Sequence, residues 1–289
     1  MAVPDCVIAG AGPTGLTLAL ELVRRGKTVR IFDRSPGTRP LGQSRALGIL
    51  PPTLTILKES GVTQTLLDAG LKIQKMLIVA DGKQLAALEL KHGGGEFPFL
   101  LSLQQAGTEQ ILEAALVKLG VAVEWGTQVV DIDDGGENPV LVVERDGAQQ
   151  RIEGRHLAGC DGVHSVVRSK LGIAFDGDVV ETPFSLADVA FKNPPPHGCA
   201  QVELHPNGVI AKLPMPGNIY RLIGTKPGVH LRPEIADEIV DIFWESEFQI
   251  TFRHVTQLQK GRVFLAGDAA HVHSTAGGRG MNTGIADAA

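Results

Sequence analysis

Near the N-terminus, Gly10-Ala11-Gly12-Pro13-Thr14-Gly15 places three glycines where a backbone can fold tightly and present its N–H groups to an anion. The chemistry of such a loop is binding: amides at a helix start hold phosphate oxygens, and a nearby acid accepts hydrogen bonds from sugar hydroxyls. Asp33 supplies that acid, roughly 20 residues further on, and is followed by Arg34. Two more carboxylates stand in small-residue turns after apolar runs. Asp161 lies in Ala158-Gly159-Cys160-Asp161-Gly162, and Asp268 in Leu265-Ala266-Gly267-Asp268. Each can reach a ligand at a strand end or cap the helix that follows. Beyond Asp268, a glycine-crowded loop leads to Gly280-Met281-Asn282 at a second helix start.

The flanking pattern must position these groups. Cys6–Ala9 reads as a buried strand, Leu16 to Arg25 as a helix stopped by Gly26, and Thr28 to Phe32 as a second strand ending at Asp33. Strand, G-x-G-x-x-G, helix, strand and acid together are the dinucleotide fingerprint. The first glycine permits the tight turn, the second admits a pyrophosphate, and the third lets helix and strand pack. The alternative is a glycine-rich turn with no ligand. The acid argues against a 2′-phosphate there, and leaves NAD and FAD equally open. Arg45 is a fixed cation in Ser44-Arg45-Ala46-Leu47-Gly48, with a surface ion pair as its bland alternative.

Further along, helices are expected from Pro51, from Thr63 to Leu67, and from Gln105 to Leu119. Strands are expected at Met76–Val79, Leu85–Leu90, Phe97–Leu103, Val121–Glu124, Thr127–Ile132, Val140–Glu144 and Arg151–Leu157. A helix to Leu171 follows the Asp161 turn. Residues 178–255 read as strands, apart from a helix from Pro233 to about Trp244. The expected fold is therefore α/β. A Rossmann-like dinucleotide domain (1–72, 104–177 and 256–289) receives an inserted, β-sheet-rich substrate domain (73–103 and 178–255). The crevice between such units suits a small molecule.

Composition narrows the class. The 289 residues are 43% hydrophobic with net charge −5, which gives no nucleic-acid footprint. No apolar run reaches membrane-span length, and the N-terminus lacks a signal-peptide pattern. Cys6, Cys160 and Cys199 have no metal-like spacing, so a reducing, cytoplasmic setting is expected. His205, His230 and His254 likewise read as structural, and His164 as a polar surface residue.

The Gly10–Gly15 loop with Asp33-Arg34, the Cys160-Asp161-Gly162 turn with its helix to Arg168, and Gly267-Asp268-Ala269-Ala270-His271 with Gly280-Met281-Asn282-Thr283-Gly284 together resemble the FAD-dependent aromatic hydroxylases of the p-hydroxybenzoate hydroxylase type. The resemblance spans the chain and implies FAD as the tightly held cofactor, with NADPH or NADH as transient reductant. It implies that Gly10, Gly12, Pro13, Thr14 and Gly15 line the pyrophosphate, and that Asp33 with Arg34 serves the adenosine end. Arg45 and Gln105 would contact FAD, and Val129 would meet the adenine through its backbone. Asp161 and Gly162 would serve FAD and the nicotinamide, Asp268 the sugar hydroxyls, and the amides of Gly280, Met281 and Asn282 the flavin pyrimidine. The implied reaction hydroxylates an aromatic or polyketide-like molecule with O2 through a flavin C4a-hydroperoxide. No obligate catalytic acid or base is implied, and His271 reads as structural or flavin-side. Alternatives are a halogenase or reductase of the same fold, or a flavin-binding protein without activity. Trp125 and Trp244 do not form the Trp-x-Trp-x-x-Pro segment of halogenases. Thr275 and Arg279 depart from the family's usual proline and glutamine. The sequence ends at Ala289, early in a helix that continues in the family, so a truncated or minimal member is expected.

Overall fold

The structure is a computed structural model that describes residues 2–40, 46–273 and 278–289. Its centre is a sheet ordered Gln259–Lys260, Val263–Leu265, His156–Gly159, Cys6–Ala9 and Val29–Phe32. The last four strands run parallel, and Gln259–Lys260 pairs antiparallel at the edge. Cys6–Ala9 is covered on both faces, which explains its unbroken apolar run. Cys6 and Ile8 enter one core with Leu16, Leu20, Leu112 and Ile285, while Val7 and Ala9 enter another with Leu157, Val167 and Leu265. Alternation along the strand thus feeds two layers.

The fingerprint helix, Pro13–Arg24, starts with proline at its first turn and buries Leu16, Ala19 and Leu20. The helix Gln105–Lys118 packs beside it, and so does Arg279–Ala288, which buries Met281, Gly284, Ile285 and Ala288. Pro51–Glu59 and Thr63–Ala69 complete the helical layer as expected.

An eight-stranded sheet forms the second mass. Its order is His271–Val272, Ile239–Val255, Phe175–Phe191, Ile219–Gly224, Gly208–Met215, Cys199–His205, Lys75–Ala80 and Lys83–Glu89. Two chain regions far apart in sequence therefore share one sheet, joined where Cys199–Leu204 pairs parallel with Lys75–Ala80.

Four local expectations are corrected. The helix from Pro233 to Trp244 is a short 3-10 turn at Ala236–Glu238 followed by a strand from Ile239 to Val255. Ile239, Val240, Ile242, Phe243 and Trp244 are β-branched or aromatic, and pairing with Phe175–Phe191 overrides the proline start signal. The run Arg151–Leu157 divides at Gly154: Ala148–Glu153 joins an antiparallel sheet with Val140–Arg145 and Gln128–Asp133, whereas His156–Gly159 enters the parallel sheet. Val121–Glu124 forms only an isolated bridge, Glu124 to Phe32. Of Phe97–Leu103, only Leu100–Ser102 is a strand, and it pairs with Gly48–Ile49 and Leu71–Ile73. Phe97, Phe99, Leu101 and Leu103 pack into the core of the fingerprint helix, away from the large sheet.

Inside the large sheet, Arg221 and Asp188 form a buried bidentate pair, with Nε–Oδ1 and Nη2–Oδ2 both 2.7 Å, and Trp244 lies 5.4 Å from the guanidinium. Asp188→Ala removes the carboxylate that a fully buried guanidinium bonds twice and is expected to cost about 3–5 kcal/mol. Urea unfolding measures it, and an unchanged midpoint would contradict this account of the sheet.

Candidate functional site

The three motifs meet at the carboxyl ends of the parallel strands. At the first junction, Gly15 backs onto the Gly10 carbonyl, and Gly10 onto the carbonyl of Cys160, with no room for a Cβ at either glycine. The Asp161 turn is thereby pressed against the fingerprint loop. At the second, Gly267 (φ +60°) and Gly284 both rest on the Thr14 side chain; a Cβ on Gly267 would lie 2.5 Å from Thr14 Oγ1. The fingerprint helix, the Asp268 turn and the last helix are joined there. Arg168 ties the two junctions together: Nη1 donates to the Ala269 carbonyl (2.9 Å) and Nη2 to that of Val163 (2.8 Å). Its guanidinium also sits 3.9 Å from the Phe175 ring centroid.

The carboxylates have different tasks. Asp33 Oδ2 accepts from the Ala11 N–H and Oδ1 from that of Ser35, both at 2.8 Å, so the acid also shapes the loop it follows. Asp161 accepts from Ser165 Oγ (2.5 Å) and from the N–H groups of Val166 (2.8 Å) and Val167 (3.2 Å). Its carboxylate serves its own helix start, and Gly162 beside it is open. Burial pushes the Asp161 carboxyl above its usual range, against those hydrogen bonds. Asp268 makes no hydrogen bond among the described residues, although its surface is open. The recess around it raises its pKa, opposed by His271, His273 and Arg39.

Two helix starts lack side-chain caps. Gly12 precedes Pro13–Arg24 and Gly278 precedes Arg279–Ala288, and neither helix has a side-chain cap bond. A helix leaves its first N–H groups without intrahelical partners, and these carry partial positive charge. Gly280, Met281 and Asn282 lie in that first turn. The Asn282 side chain is fully engaged elsewhere, accepting from Leu50 N–H (2.8 Å) and donating to Gly48 O (2.9 Å) and Gly278 O (2.6 Å). It holds the helix start in place against Gly48 and Leu50. Two amide clusters and a lone acceptor are the donor and acceptor set that a pyrophosphate and its sugars need, so these residues fit a dinucleotide.

Other expected residues are placed less centrally. Gln105 Nε2 donates to Glu109 (2.7 Å), whose carboxyl is raised by burial with Arg39 nearby. Val129 is buried, and Arg34 is exposed. Arg45 and Thr275 lie outside the described residues, while Arg279 opens the last helix. Sequence reasoning missed Arg39, Glu109 and Asp287. Asp287 lies three residues after Gly284, hence on the same helix face, and that spacing was its available signal. Among the described residues no group of histidines, cysteines and acids could hold a metal, and no helix is long and apolar enough to cross a membrane. The three cysteines are free and buried. A groove lined by Leu20, Arg24, Val62 and Ile111 holds none of the candidate residues.

Comparison with known proteins agrees with this geometry. The FAD binding domain family matches residues 4–289. The 6-methylpretetramide 4-monooxygenase of Streptomyces rimosus is 35% identical over 304 residues, covering 99% of this chain and 54% of that protein. The pentachlorophenol 4-monooxygenase of Sphingobium chlorophenolicum is 30% identical over 307 residues, covering 98% and 56%. The chain thus spans about half the length of these two relatives. A crystal structure of aklavinone-11 hydroxylase with FAD and aklavinone superposes with a TM-score of 0.82 at 25% identity, covering 99% of this chain and 60% of that one. The p-nitrophenol 4-monooxygenase of Pseudomonas putida shares the fold, with a TM-score of 0.88 at 23% identity over 99% and 78% of the two chains. A match of this extent, on a backbone that places the three motifs together, means that the chain belongs to the FAD-binding-domain family of p-hydroxybenzoate hydroxylase-type flavoproteins.

Proposed function

We propose that this chain binds FAD in the cradle around Thr14 and serves a monooxygenase that hydroxylates an aromatic or polyketide-like small molecule. The observation that carries the reading is the Thr14 junction, which packs two helices with uncapped starts and the turn that bears Asp268 against one threonine. The balance is substrate C–H, O2, NADH or NADPH and a proton going to substrate C–OH, water and oxidised nicotinamide. When bound, the flavin supplies electron transfer from the nicotinamide and activation of oxygen.

The protein's part is binding and orientation. Thr14 and Gly15 would offer N–H groups at the fingerprint helix start to the pyrophosphate, and Asp33 would accept from the adenosine ribose beside its bonds from Ala11 and Ser35. Asp268 accepts from the sugar-chain hydroxyls. The helix start at Gly280, Met281 and Asn282 would hold the electron-rich pyrimidine edge, because a helix start stabilises negative charge. We assign the large sheet, drawn mainly from residues 75–89 and 175–255, to holding the ring to be hydroxylated. No side chain is required as acid or base, since a phenol ring is nucleophilic enough to be attacked once oriented and shielded from water. Support also comes from named relatives that oxidise phenols and polyketides.

FAD titration into the purified chain, followed by flavin fluorescence, should show saturable binding; a chain that never takes up FAD contradicts the proposal. Asp268→Ala is expected to weaken binding about tenfold or more, because a hydroxyl-accepting carboxylate is lost. Gly15→Val should abolish binding, since its side chain cannot fit against the Gly10 carbonyl. Substrate-dependent NAD(P)H consumption and O2 uptake with a panel of phenols test the reaction itself. FAD binding with no uptake on any of them would favour the reading of a flavin-binding protein without activity.

A further inference from the structure

Behind Asp268 lies a charged pair that the proposed reaction does not use. Asp287 Oδ2 accepts from the Gly267 N–H at 2.8 Å and from His271 Nε2 at 2.6 Å. Gly267 immediately precedes Asp268, and His271 follows it by one turn of chain. Asp287 therefore grips the Asp268 turn from both sides. It does so from the last helix, whose Gly284 already rests on Thr14 and Gly267. The His271 ring stacks on His273 with centroids 5.3 Å apart. Its Nδ1 is buried without a partner among the described residues, so Nε2 is the nitrogen that fixes the ring.

We propose that Asp287 and His271 are positioning residues for the cofactor: they hold Asp268 and the Gly267 amide in binding geometry, and His271 protonation sets how tightly the flavin is held. This rests on the flavin reading of the site.

Other charges face the pair. His273, Asp268, Arg39 and Arg279 lie near it, and Cys160 lies toward Asp287. Arg253 and His254, on the adjacent strand, sit opposite Val272 and His271. The hydrogen bond to Asp287 raises the His271 pKa, against burial and with Asp268 adding to the rise. Burial works against the Asp287 carboxylate, yet the bonds from His271 and Gly267 hold its pKa below the usual range. The sign follows from the two directions. The ionised pair is intact above the depressed carboxyl pKa and below the raised imidazole pKa, and it weakens as pH rises through the latter. His271 bears its positive charge only below that point, on the side of the recess where an anionic cofactor binds.

The test is FAD titration of the full chain from about pH 5.5 to 8.5, with His271 followed in parallel by NMR of its ring proton. Wild-type affinity should fall as pH rises through the His271 transition. Asp287→Asn should raise the FAD dissociation constant about tenfold near pH 6 and move that transition down toward the ordinary imidazole value of about 6.5. His271→Gln should remove the transition, and it carries the test alone if Asp287→Asn does not fold. Wild-type protein that binds FAD while both variants match its affinity and pH dependence overturns the inference. Wild-type protein that binds no FAD overturns the flavin reading instead, and the His271 ring-proton shift in Asp287→Asn still reports whether the pair exists.

Discussion

Around Thr14, three backbone segments approach more closely than side chains allow. Gly267 and Gly284 touch one threonine from two sides, and Gly10 and Gly15 repeat the arrangement a few residues away. Everything at the head of the parallel sheet depends on those contacts. They pack two helices and the turn that carries a strand-end acid against one threonine. Little of this is electrostatic in origin. Steric absence permits the approach, and the polar groups then occupy the space that remains.

The acids around the recess divide by whether protein or solvent satisfies them. Asp161 spends both oxygens on its own helix start, and Asp33 spends both on loop amides. Asp268 is left over. Its surface is open to solvent, and the nearby His271, His273 and Arg39 offset what desolvation the surrounding chain imposes. The local strain in charge and the binding capacity are the same feature seen before and after a ligand arrives.

The fingerprint was legible because its parts are local: an apolar strand, three glycines and an acid lie within one stretch of chain. The Asp268 turn was legible for the same reason. What sequence reading missed is non-local. Asp287 acquires its meaning only when the last helix docks on Thr14, and Glu109 only when Gln105 and Arg39 converge on it. The misread Pro233–Trp244 segment failed in the same way. A proline start signal is local, whereas the partner strand that decides the outcome lies about fifty residues upstream, as the pairing of Ile242 with Val189 shows. Leu100–Ser102 went to a small sheet because its apolar neighbours are held by helices, a choice invisible in its own alternation.

The long strands Phe175–Phe191 and Ile239–Val255 run as one two-stranded ribbon between the two masses. At one end, Phe175 and Val255 are fastened into the core beneath the parallel sheet; at the other, Val189 and Phe191 are fastened into the core of the large sheet. The two units therefore have no ordinary hinge. Separating them would unzip ladder hydrogen bonds and break the buried bond from Ser102 Oγ to the Pro214 carbonyl. The ribbon's irregular register at Val179/Pro183, outside the stretch that also pairs with Ile219–Gly224, is where bending concentrates. The Asp268 turn is also tied to the large sheet directly, through His271–Val272 on Ile239–Val255, so the ribbon and that short bridge together set how far the turn can move from the sheet.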